Sequence, residues 1–336
     1  MPSFPERVFS GMRPTGRLHL GHYFGVISNW LELQKTQTCF FMVADLHAMT
    51  TGDLSQLKLG ENVREVVLDW LACGVDPDKA TVFVQSSVPE HAELAQLMAM
   101  LTSVGWLERN PTYKEMREQL GENNTNSLGL LSYPVLQAVD VCLYKGTKVP
   151  VGEDQKPHLE MGRELIRRFN STYKKTVFPE FSALLTPVSK LPGLDNRKMS
   201  KSYDNAIELA EEPASIRKRV KSMVTDPGRP RRTDPGHPEI CPVFTYHQLF
   251  TPPERVKEIE RDCRSAALGC GEDKEALAER IIAWQEPILK RRKELQKDLG
   301  YVTEVLDRGR EKARTIARAT MKEVWETMGL WPSRYE

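Results

Sequence analysis

His19, Gly21 and His22 close the run Phe9-Ser10-Gly11-Met12-Arg13-Pro14-Thr15-Gly16-Arg17-Leu18-His19-Leu20-Gly21-His22, which combines imidazole donors with glycines that permit tight turns and close backbone approach. A helix beginning near Gly21 aims free amide N–H groups and the positive end of its dipole at whatever binds there, which favours an anion. Far downstream, Lys198-Met199-Ser200-Lys201-Ser202 supplies two ammonium groups and two hydroxyls. Turn formers flank it, Leu194-Asp195-Asn196-Arg197 before and Tyr203-Asp204-Asn205 after, so it reads as a mobile loop able to reach the outer phosphates of a nucleotide. Either segment alone also fits a bland reading, as a strand-to-helix connection or a solvated basic loop. Their joint presence makes phosphate handling the stronger one.

A third group lies between them. Tyr133, Gln137 and Asp140 are spaced by four and three, so on a helix they share one face, where an aromatic ring, an amide and a carboxylate could line a pocket. A helix bearing ordinary polar residues would show the same spacing.

These groups need a frame. Buried strands are expected at 7–10, 38–44 and 80–85. Helices are expected at 22–35, with Phe24, Ile27, Trp30 and Leu31 on one face, and at 61–73, with Val63, Val66, Val67, Trp70 and Leu71 before a stop at Gly74. Strand, helix, strand, helix, strand predicts right-handed crossovers and a parallel, Rossmann-like α/β sheet with its ligand site at the carboxyl ends of the strands.

Beyond Leu209 no convincing strand remains. The basic stretch Thr225-Asp226-Pro227-Gly228-Arg229-Pro230-Arg231-Arg232 reads as an exposed loop. Leu277, Ile281, Trp284 and Ile288 mark one helix face with Pro287 as a kink, and Ala313, Ile316, Ala317, Val324 and Met328 outline a last helix. The expected organisation is a catalytic domain over 1–190, a loop and smaller all-helical domain over 191–310, and a terminal helix over 311–336 that packs back on the first domain.

With 47 Lys and Arg against 46 Asp and Glu, any surface for a polyanion must be local, such as the clusters Arg217-Lys218-Arg219-Val220-Lys221 and Arg229, Arg231 and Arg232. No apolar leader or membrane-length apolar run is visible, so a cytosolic protein is expected. Cys39, Cys73 and Cys142 lie in apolar stretches and read as inert buried thiols.

His19-Leu20-Gly21-His22 at the first strand-to-helix junction and Lys198-Met199-Ser200-Lys201-Ser202 closely resemble the two signatures of class I aminoacyl-tRNA synthetases, the second without a mismatch. The resemblance implies that ATP is held while an amino acid's carboxylate attacks the α-phosphate and pyrophosphate leaves, a reaction driven by positioning and charge neutralisation. His19 and His22 would bond phosphate on the α side, and Lys198 and Lys201 would clamp the β and γ phosphates. Mg2+ is expected to arrive with ATP, and no metal site of the protein's own is expected.

Gly129 to Asp140, together with Val149-Pro150-Val151-Gly152-Glu153-Asp154-Gln155, is similar to bacterial tryptophanyl-tRNA synthetases, a likeness running from about Val8 to the C-terminus and weakest over 224–271. Tyrosyl enzymes share the Gln137 and Asp140 spacing but are expected to carry a Gly-Gly-Ser-Asp-Gln-like run in the second segment. Carried over, Asp140 would accept the indole N–H, which is only a donor. Phe9, Val149 and Val151 would hold the ring, and His47, Tyr133, Gln137 and Gln155 would fix the ring and the amino and carboxylate groups. ATP would touch Arg13, Pro14, Thr15, Gly21 and His22 on one side and Gly152, Glu153 and Asp154 on the other, under Lys198, Met199, Ser200, Lys201 and Ser202. Many relatives carry Met at the position of Gln137. A tyrosine hydroxyl is also a donor, so Asp140 alone does not separate tryptophan from tyrosine.

The resemblance further implies tRNA(Trp) as second substrate, read at its anticodon by the helical half, and a homodimer. Neither DNA nor a membrane is an expected partner. Some tryptophanyl enzymes hold an iron–sulfur cluster on four cysteines. Cys263 and Cys270 fit that spacing, with Cys241 upstream, but Asp273 stands where the fourth cysteine is expected, so no cluster is expected here. Three rivals are a tyrosyl enzyme, a small-molecule nucleotidylyltransferase and a non-enzymatic RNA-binding protein derived from a synthetase. The lysine loop and helical half count against the second, and the intact loop and pocket residues against the third.

Overall fold

The computed structural model describes residues 4–51, 54–110, 113–114, 127–152, 156–185, 191–331 and 335. Five parallel strands, β1 (Arg7–Met12), β2 (Thr38–Val43), β3 (Ala80–Val84), β4 (Lys148–Val151) and β5 (Ser182–Leu185), form one sheet in the order β3-β2-β1-β4-β5. The first three lie where the apolar runs predict them. β4 and β5 were not expected as strands; each has four residues, and Pro150 inside β4 lowers strand propensity. The chain runs outward from β1 to β3 and then returns to place β4 on the other side of β1, so the order reverses between β1 and β4. That reversal is where an open parallel sheet leaves a crevice for ligand.

Helices of nine or more residues among those described are numbered in chain order: α1 (Leu59–Cys73), α2 (Glu90–Ala99), α3 (Leu128–Cys142), α4 (Lys156–Thr172), α5 (Pro213–Ser222), α6 (Pro242–Phe250), α7 (Pro253–Arg264), α8 (Cys270–Leu295) and α9 (Leu299–Met328). α1 stops at Gly74, whose φ of 105° is the left-handed cap that glycine adopts without strain. The helix expected at 22–35 is a composite: Leu20–His22, a π-helical turn Tyr23–Ile27, and Ser28–Leu33. α8 continues through Pro287 without a break. The last helix begins at Leu299, well before the expected 311, because the Asp298 side chain caps it by accepting from the Tyr301 amide.

Alternation along the strands splits the core into two layers. On one face Trp30 stacks on Phe41 at 4.2 Å and meets the edge of Trp70, in a cluster that extends to Leu277 and Ile281 of α8 and Val302 and Val305 of α9. The sheet and the helical half therefore share one core. The other face gathers Phe9, Phe40, Phe83 and Tyr144 with Ala313, Ala317, Met321 and Val324 of α9. α9 reaches both layers by crossing β3 at Gly309, where a Cβ would lie 1.7 Å from the Val82 carbonyl oxygen. The otherwise open β3 edge is covered by this helix.

Candidate active site

At the carboxyl ends of β1 and β4 a cavity of about 530 Å³ opens, lined by residues of the 9–22 run, of the Tyr133, Gln137 and Asp140 face and of the segment 149–152. Phe9, Arg13, Thr15 and His22 come from the first, Tyr133, Gln137 and Asp140 from α3, and Val149, Val151 and Gly152 from β4 and its end. His47, from the short helix after β2, completes the group. Glu153, Asp154 and Gln155 lie outside the described residues, as does the side chain of Ser202.

Asp140 is 3% exposed at the inner end of this cavity. Its Oδ1 accepts from Gln85 Nε2 and His91 Nδ1, both at 2.7 Å, and its Oδ2 accepts from His47 Nε2 at 2.8 Å. His91 Nε2 in turn lies 2.7 Å from the Tyr144 hydroxyl, so the ring bridges Asp140 and Tyr144. Burial pushes the Asp140 carboxyl up, but the hydrogen bonds and charges of His47 and His91 outweigh it and hold the group below the ordinary aspartate value. An ionised carboxylate oxygen accepts two donors, so Oδ2 keeps capacity for one more among the described residues.

The two phosphate-handling segments meet at the other end of the site. Lys201 Nζ donates to the Thr15 carbonyl at 2.8 Å, and the Gly21 amide points at Met199 Sδ at 3.4 Å. Burial, with Lys201 nearby, lowers the His19 pKa to about 4. Burial, with His19 and Lys201, takes His22 to about 3. Both rings are therefore neutral near pH 7. His22 Nδ1 accepts from the His19 backbone N–H at 3.2 Å, which leaves Nε2–H as its donor. A Cβ on Gly21 would lie 3.0 Å from His19 Cε1 and Nδ1, so the ring rests directly on that glycine.

Some expectations need correction. The amides at the start of the first helix are not free: Leu20 donates to the Ile207 carbonyl, Gly21 to Met199 Sδ and His22 to the His19 carbonyl. Only the sulfur is a weak acceptor that an anion would readily displace. Lys198, Pro14, His19, Gly21, Met199, Ser200 and Lys201 are not among the residues lining the cavity, and Lys198 is solvent-exposed with its backbone in an isolated bridge to Pro192.

Arg229 leaves the basic cluster in which the sequence placed it. Its guanidinium is buried, donating to the carbonyls of Arg232 and Leu268 at 2.8 Å and lying 3.9 Å from Cys263 Sγ and 3.7 Å from Cys270 Sγ. An iron–sulfur cluster does not fit this donor set: a cation already occupies the space between two of the three thiols, and Asp273 supplies a carboxylate in place of the fourth. Among the described residues no group of three or more His, Cys, Asp or Glu could hold a metal ion. In the sheet half, burial raises the Cys39 thiol to about 11 and pushes Cys73 and Cys142 well up, so these stay protonated.

Sequence reading missed Gln85 and His91, which hold Asp140, and Tyr144, which holds His91. Gln85 stood at the predicted carboxyl end of β3, the usual place for site residues in a parallel sheet, and that position was the available signal. His91 and Tyr144 carried none, since a histidine or tyrosine facing a core has no distinctive spacing.

A parallel sheet with its strand order reversed at the site, two converging phosphate-handling segments and a buried carboxylate at the cavity end define an α/β enzyme that presents a nucleotide to a small second substrate. Residues 3–285 match the family of class I tRNA synthetases (W and Y), and the chain belongs to that family. It is 48% identical to the tryptophan–tRNA ligase of Thermotoga maritima, over 96% of this chain and 99% of that one. It is 45% identical to that of Aquifex aeolicus, over 96% and 100%. The crystal structure of tryptophanyl-tRNA synthetase from Campylobacter jejuni complexed with ADP and tryptophan superposes with a TM-score of 0.87 at 34% identity, covering 96% of this chain and all of that one.

Proposed function

We propose that this chain is a tryptophan–tRNA ligase: it activates L-tryptophan with ATP, giving tryptophanyl-adenylate and pyrophosphate, and then transfers tryptophan to the 3′ end of tRNA(Trp). The observation that carries this reading is the near full-length identity to tryptophan–tRNA ligases, and the remaining acceptor capacity of Asp140 Oδ2, at the end of a cavity whose other side is built from the first signature, agrees with it. An indole N–H donor completes that carboxylate, while Phe9, Val149 and Val151 supply apolar contact. Tyr133, Gln137, His47 and Gln155 fix the rest of the amino acid.

The amino acid's carboxylate oxygen attacks the α-phosphorus as the bond from that phosphorus to the α,β-bridging oxygen breaks, and the electron pair leaves with pyrophosphate. Nothing in this step needs a covalent enzyme group; it needs alignment and positive charge. His22 Nε2–H and His19 donate to phosphate, Arg13, Pro14, Thr15 and Gly21 line the nucleotide with Gly152, Glu153 and Asp154, and an incoming phosphate oxygen takes the Gly21 amide from Met199 Sδ. Lys201 exchanges the Thr15 carbonyl for phosphate oxygens and Lys198 swings in from solvent, with Ser200 and Ser202 alongside. Mg2+ accompanies the ATP and shields its phosphates.

The helical half offers Lys218, Lys221, Arg231 and Arg232 as exposed cations for the RNA backbone. Exposed Met49, Leu54, Met100, Val104 and Leu128 offer apolar surface that supports a homodimer. No described helix is long and apolar enough to cross a membrane, in keeping with action in the cytoplasm. The deciding experiment is amino-acid-dependent ATP–pyrophosphate exchange with tryptophan, tyrosine and phenylalanine in parallel. Exchange with tryptophan alone is expected; exchange with tyrosine would replace the substrate, and exchange with none would return the chain to a non-enzymatic role.

A further inference from the structure

Leu18 directly precedes His19, and both of its backbone groups are claimed by distant chain. Its N–H donates to Asp69 Oδ2 at 2.6 Å, and its carbonyl accepts from the Leu209 amide at 2.7 Å. Each claim leads to one face of α8. Asp69, wholly buried on α1, accepts Arg292 Nε on its other oxygen at 2.6 Å. The segment around Leu209 is gripped by Gln285, whose Nε2 donates to the Glu208 carbonyl at 3.0 Å and whose Oε1 accepts the Glu211 amide at 3.1 Å.

Gln285 and Arg292 are seven residues apart, two helical turns, so they project from the same side of α8. They are 1% and 3% exposed, which makes these bonds costly to leave unmade. Neither residue lines the cavity. Tryptophan's proposed partners Asp140, His47 and Phe9 share no bond with this chain of contacts. A shift of α8 is therefore felt first at Leu18 and His19, on the nucleotide side.

We infer that Gln285 and Arg292 are positioning residues for the nucleotide, holding Leu18 from both sides so that α8 of the helical half sets the position of His19. Gln285 acts through the backbone of 208–211 and Arg292 through Asp69. The inference rests on the proposed ligase reaction for its kinetic consequence but not for its geometric one.

Gln285→Met and Arg292→Lys test it, since the first keeps shape without hydrogen bonds and the second keeps charge without the guanidinium's geometry. Two readouts are taken on each: selectively labelled histidine NMR spectra, with the His19 signal assigned by its loss in His19→Asn, and ATP–pyrophosphate exchange as a function of ATP and of tryptophan. The His19 resonance is expected to shift while the His91 and His237 signals, whose rings bond to Asp140 and Tyr144 and to Asp226, stay in place. The KM for ATP is expected to rise, or kcat to fall, by ~10-fold, with tryptophan affinity by fluorescence changed less than about 2-fold. In the double variant the losses should be less than multiplicative, because both routes end on Leu18. An unmoved His19 signal in both folded single variants overturns the inference, whatever the exchange activity. Equal losses toward ATP and tryptophan would also overturn it, by showing a general role in stability. Absence of exchange in the unmodified enzyme would count against the ligase reading alone, since the NMR outcome still decides the positioning.

Discussion

Lys201 Nζ donates to the Thr15 carbonyl at 2.8 Å, joining the two phosphate-handling segments across 186 residues of chain. The contact places an ammonium group beside the first signature with a neutral carbonyl as partner, so phosphate oxygens can replace that carbonyl at a net gain of charge pairing. Lys201→Ala should lower the rate of ATP–pyrophosphate exchange by roughly 10²-fold to 10³-fold, the effect of removing one preorganised donor from a transition state. Tryptophan affinity measured by fluorescence titration should not change, and an unchanged exchange rate would remove Lys201 from the catalytic set.

Gly21→Ala should act through His19 rather than through the fold. Its Cβ would stand 3.0 Å from the imidazole and 3.4 Å from Met199 Sδ, and both must move. Exchange activity is expected to drop on the order of 10-fold to 10²-fold, with the thermal midpoint close to that of the parent. Steady-state kinetics beside a melting curve would separate the two, and full activity would show that His19 tolerates displacement.

Asp140→Asn replaces an oxygen that accepts by an amide that donates, facing His47, His91 and Gln85. One or more of these donors loses its partner, and so does the indole. We expect kcat/KM for tryptophan to fall by roughly 10²-fold and the preference over phenylalanine to narrow, as read by exchange with each amino acid. A variant that keeps full discrimination against phenylalanine would place the indole's acceptor elsewhere.

The depressed His19 pKa carries a pH dependence of stability. The ring titrates near 6.5 when unfolded and near 4 in the fold, so between those values the unfolded chain binds more protons. This stabilisation is complete above about pH 6.5 and is lost as pH falls toward about 4. His19→Asn should therefore show a flatter fall in denaturation midpoint over that window than the parent protein. Parallel curves for the two would mean that the folded-state pKa is not depressed.

Gly309→Ala tests the covering of the sheet edge. A Cβ 1.7 Å from the Val82 carbonyl cannot be absorbed by a side chain, so α9 must lift from β3. Loss of about 1–3 kcal/mol is expected, the usual cost of overpacking, measured by urea denaturation. Wild-type stability would indicate that the helix lies farther from the strand in solution.

The sequence alone determined the first three strands, the stop of α1 at Gly74, the two signatures and the Tyr133, Gln137 and Asp140 face, because each depends on neighbours within a turn or a strand. β4 escaped notice because four residues containing Pro150 hold no periodic signal, yet their pairing with β1 places Val149 and Val151 in the cavity. Only the tertiary structure decided what the charged residues do. Arg229 and Arg231 sit two apart in one turn-rich loop and read alike, but one lies buried against two thiols and the other faces water. Local spacing is the same for both, and what separates them is the chain that folds over one of them from 263–270. Asp69, Arg292, His91 and Tyr144 were silent for the same reason: the partner that gives each its role comes from a distant element, and packing, not sequence proximity, brings the two together.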